Sequence, residues 1–151
     1  MKEIESRSVI EKAMLLSEWP LFERLATDEL ALIAARTTEV EYTTGEEVDL
    51  DNSAGGSVHF VVSGAIELVS KGRSIRRAGK GEAVGSLAAL EEVVPDETLK
   101  ILEPTHALLL SGEEFERTVG DHPEFAMAVI RRLLALVRGL EGTSARTDEE
   151  D

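Results

Sequence analysis

The stretch "SVHFVVSGAIELVS" at 57–70 constrains the fold more than any other. Val58, Phe60, Val62, Ile66 and Leu68 share one parity. A period of two is that of a strand with one buried face, not of a helix. Gly64 falls inside the run, where a tight bend or bulge is predicted that leaves the register intact. Glycines at 72, 79, 81 and 85 then punctuate the chain as turns between short strands. Upstream, "TEVEYTTGEEVDL" places Val40 and Tyr42 on one parity before a turn at Gly45. Downstream, "LKIL" (99–102) and "HALLLS" (106–111) close the β region.

Helical patterns flank these strands. "SVIEKAMLLSEW" (8–19) predicts a short helix stopped at Pro20. In "LFERLATDELALIAART", Thr27 is predicted to cap a second helix. Asp28 and Glu29 suit its positive end, and Leu30, Ile33 and Ala34 lie on one face. Ser111 and Glu114 have capping-box spacing ahead of "EEFERTV", and Asp121 and Glu124 repeat it ahead of "HPEFAMAVIRRLLALVRGL". In that last helix Phe125, Val129, Leu133, Val137 and Leu140 form a stripe, which Met127, Ile130 and Leu134 widen, and Gly139 and Gly142 can end it. The order predicts one domain over 1–140, a small β-barrel or roll between N-terminal helices and two C-terminal helices. Residues 141–151, "EGTSARTDEED", read as an acidic disordered tail.

Charge and composition exclude several functions. The formal net charge of −14 repels phosphate backbones, so no nucleic-acid partner is expected. With no cysteine there is no disulfide framework, thiolate metal site or thiol nucleophile. His59, His106 and His122 are too far apart for a metal-binding motif, and no nucleophile elbow or Walker loop is present, so neither a metal nor an enzyme is expected. No apolar run is long enough to span a bilayer and no secretory leader is evident, which implies a cytoplasmic protein without membrane insertion.

Four segments in order resemble the cyclic nucleotide-binding domain family, the regulatory module of the catabolite activator protein, of cyclic-nucleotide-dependent kinases and of gated channels. They are "PLFERLATDELALIA", "YTTGEEV", "VHFVVSGAIEL" and the run from "AGKGEAVGSLAALEEVVPDETLKIL" onward. In the second-to-last of these, His59 stands where the family usually has an aromatic. The resemblance covers roughly 10–140. It implies a mostly β, jelly-roll-like barrel (a double-stranded β-helix) with flanking helices, and a phosphate-binding cassette of the form "FGE-l-aLl-x-x-x-PR-s-A-T". The family's cassette glutamate takes a ribose hydroxyl, its arginine pairs with the cyclic phosphate, and its short helix turns backbone N–H groups to that phosphate.

Laid on this chain, the candidate pocket is Gly85, Ser86, Leu87, Ala88, Asp96, Glu97 and Thr98. Ser86 replaces the glutamate, Asp96 the arginine and Glu97 the small residue after it. Replacing a bidentate, permanently charged donor with a carboxylate reverses the sign of the interaction. At about 4 Å and an effective dielectric near 20, that interaction is worth roughly 4 kcal/mol before desolvation. From 81 to 100 there are five acids and one base, a net −4. The expected function is therefore a non-enzymatic regulatory or protein-interaction module in which cAMP and cGMP are disfavoured and no cofactor is required. The alternative is a sensor binding a cyclic nucleotide or another anion in an altered pocket. That would need a cation from "KGRSIRRAGK" (71–80), whose Lys71, Arg73, Arg76, Arg77 and Lys80 otherwise read as solvated hairpin charges. The family's helix at the last position often mediates dimerisation. The resemblance thus implies a homodimer or protein-docking contact through Ile130, Leu134 and Val137, the competing reading being a fully covered core helix. With eleven residues after Leu140, no helix-turn-helix output domain is expected within this sequence.

Overall fold

The computed structural model describes residues 2–3, 7–19, 22–23, 25–50, 56–86 and 96–150, with backbone alone at 86, 136 and 140–150. The elements run β1 (Lys2–Glu3), α1 (Val9–Leu16), α2 (Thr27–Ala35), β2 (Thr38–Tyr42), β3 (Glu47–Asp49), β4 (Ser57–Ser70), β5 (Arg73–Gly79), β6 (Ala83–Ser86), β7 (Glu97–Ser111), α3 (Gly112–Asp121) and α4 (Pro123–Glu150). This is the mostly β roll with flanking helices that the sequence predicts.

Among the described residues all pairings are antiparallel, in the order β1-β2-β7-β4-β5, with β3 on β7 and β6 on β4. The strands β4 and β7 are the long backbone of the roll. "LKIL" and "HALLLS" belong to one strand, and Pro104 between them lies where the β4–β7 register shifts, so no ladder bond is asked of it.

Two clusters make the core. Outside the roll, Phe60, Leu108 and Leu110 pack against Leu16, Trp19, Phe22, Ile33, Phe115 and Phe125 from the helices. Phe22 stacks on Phe125 at 6.1 Å between centroids, and Trp19 meets Phe60 edge-on at 5.8 Å. Each such ring, fully buried, contributes roughly 1.5–3 kcal/mol. Inside the roll, Val40, Tyr42, Val61, Ile66, Leu68, Ala78, Val84, Leu99 and Ile101 form the second cluster.

The register of β4 differs from the expectation. Phe60 faces the helices, with Val58 and Val62 packed beside it, whereas Ile66 and Leu68 face the roll interior with Val61. Bulges between Val61 and Ile66 exchange the two faces, so Gly64 does not preserve the parity. Gly64 has φ +105°, and a Cβ there would lie 2.3 Å from Thr105 Oγ1 and 2.6 Å from Thr105 Cα. Thr105 Oγ1 also accepts from Ala65 N at 3.2 Å and donates to Glu103 O at 2.8 Å, which fastens this corner.

The helix ends differ in three places. Ser8 and Glu11 complete a reciprocal capping box on α1. The N-cap of α2 is Ala26, without a side-chain bond, and Thr27 is its first helical residue. Residues 141–150, expected as a disordered tail, continue α4 as helix. Gly139 and Gly142 do not end it: a helical glycine costs only about 1 kcal/mol and no proline follows Pro123.

Candidate functional site

The roll interior is built on alternate residues of β4. His59 pairs with Val84 of β6 and Leu109 of β7, and Val61 with Ala107. His59 is fully buried, and its Nε2 lies 2.6 Å from the Tyr42 hydroxyl, with the rings 5.6 Å apart. Burial holds the His59 pKa down at about 4 and pushes Tyr42 up to about 12, so both stay neutral near pH 7. Among the described residues, two polar atoms here have no partner, His59 Nδ1 and the hydroxyl of Ser57, which is itself buried. The residue class at 59 was legible in the sequence, but its pairing with Tyr42 was not, because it spans two strands distant in sequence.

The cassette positions are only partly described. Leu87 and Ala88 lie outside the described residues, as does the rest of 87–95. Gly85 has φ +155°, and a Cβ would lie 2.0 Å from Ser57 O and 2.8 Å from Val58 Cα. Strand packing alone therefore requires glycine there. Ser86 pairs through its backbone with Ser57, while Glu97 pairs with Ser70, at the other end of β4. Asp96 is exposed; Glu97 and Thr98 are half-buried, with Thr98 opposite Asp49 and Val69.

Lys71, Arg73, Arg76, Arg77 and Lys80 are all exposed. Arg77 stands opposite Glu67, Glu67 opposite Lys100, and Lys100 opposite Glu47, so charges alternate across four strands. Arg76 pairs with Leu68 and shares the parity of buried Ala78, and its guanidinium donates to Ala83 O on β6. That bond ties this hairpin cation to β6.

Sequence reasoning missed a buried charge cluster between α1, β2 and β7. Glu39, only 1% exposed, accepts from Arg7 N and Arg7 Nε, each at 2.8 Å, and lies 2.7 Å from His106 Nε2. Burial works to raise the Glu39 pKa, but the Arg7 N–H, His106 and the Arg7 guanidinium outweigh it and hold the carboxylate below its ordinary range. Lys12 is buried beside it and donates to Thr37 O at 2.8 Å. Burial lowers its pKa, and the charge of Glu39 partly offsets that. The alternation in "TEVEY" put Glu39 on an outward face, and nothing local in the sequence says that α1 covers it.

On α4, Phe125 and Ala128 are buried, and the stripe leaves the core after Val129. Met127, Ile130, Leu133, Leu134 and Val137 are 44–58% exposed, so a fully covered core helix is not what forms. Among the described residues no cluster of three or more His, Asp or Glu could hold a metal ion, and no helix is long and apolar enough to cross a membrane.

A family model described as "Cyclic nucleotide-binding domain" matches residues 39–122. The chain is 29% identical over 141 residues to Glutaminase 2 of Bradyrhizobium diazoefficiens, across 92% of this chain and 22% of that protein. It thus spans about a fifth of the length of the curated relatives it matches. The sensor domain of the transcriptional regulator DNR from Pseudomonas aeruginosa superposes with a TM-score of 0.69 at 16% identity, covering 85% of this chain and 90% of that one. The Catabolite Activator Protein of Thermus thermophilus does so at 0.66 and 24% identity, covering 81% and 60%. With more than half of its length matched by the family model, the chain belongs to the cyclic nucleotide-binding domain family.

Proposed function

We propose that this domain is a non-enzymatic regulatory or protein-interaction module that does not hold cAMP or cGMP in the family's usual way. The observation that carries this reading is Asp96, a carboxylate where the family's phosphate-pairing arginine stands, together with Ser86 in place of its ribose-binding glutamate. A donor set of one hydroxyl and several acids does not fit a cyclic phosphate. The retained Gly85 does not argue for a ligand, since contact with Ser57 accounts for it. That similar segments make up about a fifth of longer chains named glutaminases supports a module serving an activity located elsewhere. The partner surface is α4, through Ile130, Leu134 and Val137, with a second copy or another protein as occupant and neither nucleic acid nor membrane. The cytoplasm is the setting that fits.

Thermal melting with cAMP and cGMP tests the ligand half. A ligand at a hundred times its dissociation constant adds about 2.7 kcal/mol of stability, a rise of several degrees. No rise is expected, and a clear one overturns the reading. The double change Ser86→Glu with Asp96→Arg is expected to introduce binding. A second reading, a sensor for an anion in an altered pocket, draws on Arg76, which has the interior parity and reaches β6. Phosphate-dependent stabilisation lost in Arg76→Gln would favour it.

A further inference from the structure

We propose that the groove between α1 and α2 is a docking site for α4 of a second copy of this chain. The inference rests on the reading of α4 as a partner surface and names the surface that it meets.

The groove is apolar and open. Ile10, Ala13 and Met14 of α1 and Thr27, Leu30 and Ala31 of α2 line a cavity of about 210 Å³. That exceeds the roughly 150 Å³ apolar cavity that takes up a benzene ring, so an aliphatic side chain fits. Ile10 is 72% and Met14 67% exposed, and Leu32 adds a further exposed apolar side chain on α2. Two large, bare apolar residues one turn apart on a short helix are a cost in water that a partner helix removes. Neither helps to hold the core, which α1 meets through Ala13 and Leu16.

Charge selects the occupant. Glu11 on α1, Glu18 just past its end and Asp28 in the first turn of α2 are all exposed. Among the described residues of 9–35 the base is Lys12 alone, and it is buried and bonded to Thr37 O. The groove therefore fits an apolar helix face with a basic flank. Residues 125–140 of α4 are such a helix, with Arg131, Arg132 and Arg138 and no acid. Ile130, Leu134 and Val137 follow the i, i+4, i+7 spacing of a helix seated in a groove, and all three are exposed. Arg131 and Arg138 stand three before and four after Leu134, so they flank that stripe on the helix surface, and both are exposed. A second α4 has no carboxylate along this stretch to meet them, whereas the groove rim supplies three. On a chain of net charge −14, that match of a basic face to an acidic one fixes which surfaces of two copies come together.

The test is sedimentation equilibrium of the full chain and its variants. The unaltered chain is expected to self-associate. Met14→Glu and Ile10→Glu, each at an exposed position, should weaken this at least tenfold without lowering the melting temperature of the monomer, as should Leu134→Glu. The deciding measurement mixes Met14→Glu with Leu134→Glu. The first keeps an intact α4 and the second an intact groove, so the mixture is expected to associate more tightly than either protein alone, and less so in 1 M sodium chloride. A mixture no more associated than its parts, or Met14→Glu and Ile10→Glu proteins that associate like the unaltered chain, overturns the proposal. If Leu134→Glu still dissociates the chain in that case, α4 remains a partner surface and the groove alone is excluded. A monomeric unaltered chain overturns this proposal and removes self-association from the functional reading.

Discussion

Gly85 shows how a single residue can carry a family resemblance without carrying its ligand. Its Cβ position is 2.0 Å from a backbone oxygen that cannot swing aside, unlike a flexible side chain. Gly85→Ala is expected to cost about 2–4 kcal/mol, measured by urea unfolding, with or without any nucleotide present. A smaller cost would mean that β6 can shift away from β4. Glu39 makes the opposite case, in which chemistry rather than space is decisive. Removing the carboxylate in Glu39→Ala strands Arg7, His106 and Lys12 around a buried gap and is expected to cost about 3–5 kcal/mol. The isosteric Glu39→Gln would keep the shape and should lose most of that stability, because Arg7 and Lys12 keep their charges. Neither residue advertises itself locally: Gly85 reads as a turn glycine, and Glu39 as a surface acid on an alternating strand.

At the scale of elements, periodicity was a good guide where one face met one core. The α1 and α2 helices, β2 with Val40 and Tyr42 inward, and the paired C-terminal helices could all be read from spacing. It misled for β4, which serves both cores in turn. Val58 through Val62 and Ile66 through Leu68 have the same sequence parity but face opposite ways, because the bulges around Gly64 add residues that no partner strand matches. The cassette's substitutions were legible as residue types, whereas the unpartnered Ser57 and His59 emerged only once three strands were placed together. For α4 the pattern showed a stripe wider than one contact needs, and the exposure of Ile130, Leu134 and Val137 agrees. If α4 docks a second copy, Leu134→Glu should turn a concentration-dependent dimer into a monomer in sedimentation while leaving the melting curve of the monomer unchanged. Identical sedimentation of both proteins as monomers would remove self-association as the use of this face.

Over the whole molecule, two electrostatic effects pull in opposite directions as the medium is acidified. The net charge of −14 repels itself, and protonating carboxylates relieves that repulsion. His59 acts against this. Its folded pKa of about 4 lies below its ordinary 6.5, so the unfolded chain binds the proton first. The stability it contributes is complete above 6.5 and is lost as pH falls towards 4, a loss of about 3 kcal/mol for a shift of this size. Its neighbours do not soften this: Val84 and Leu109 carry no charge, and Tyr42 stays a neutral phenol. Glu39, held below its usual range, adds a further loss only at lower pH, as its carboxylate protonates. Salt separates the two effects. Raising ionic strength from about 0.01 to 1 M shortens the Debye length from roughly 30 to 3 Å, which suppresses surface repulsion but hardly reaches a fully buried ring. The melting temperature near neutrality is therefore expected to rise with sodium chloride. The fall in melting temperature between pH 6.5 and 4 should survive at high salt and should flatten in His59→Phe. A fall that vanished with salt, or that persisted unchanged in His59→Phe, would place the acid sensitivity in surface carboxylates instead of the roll interior.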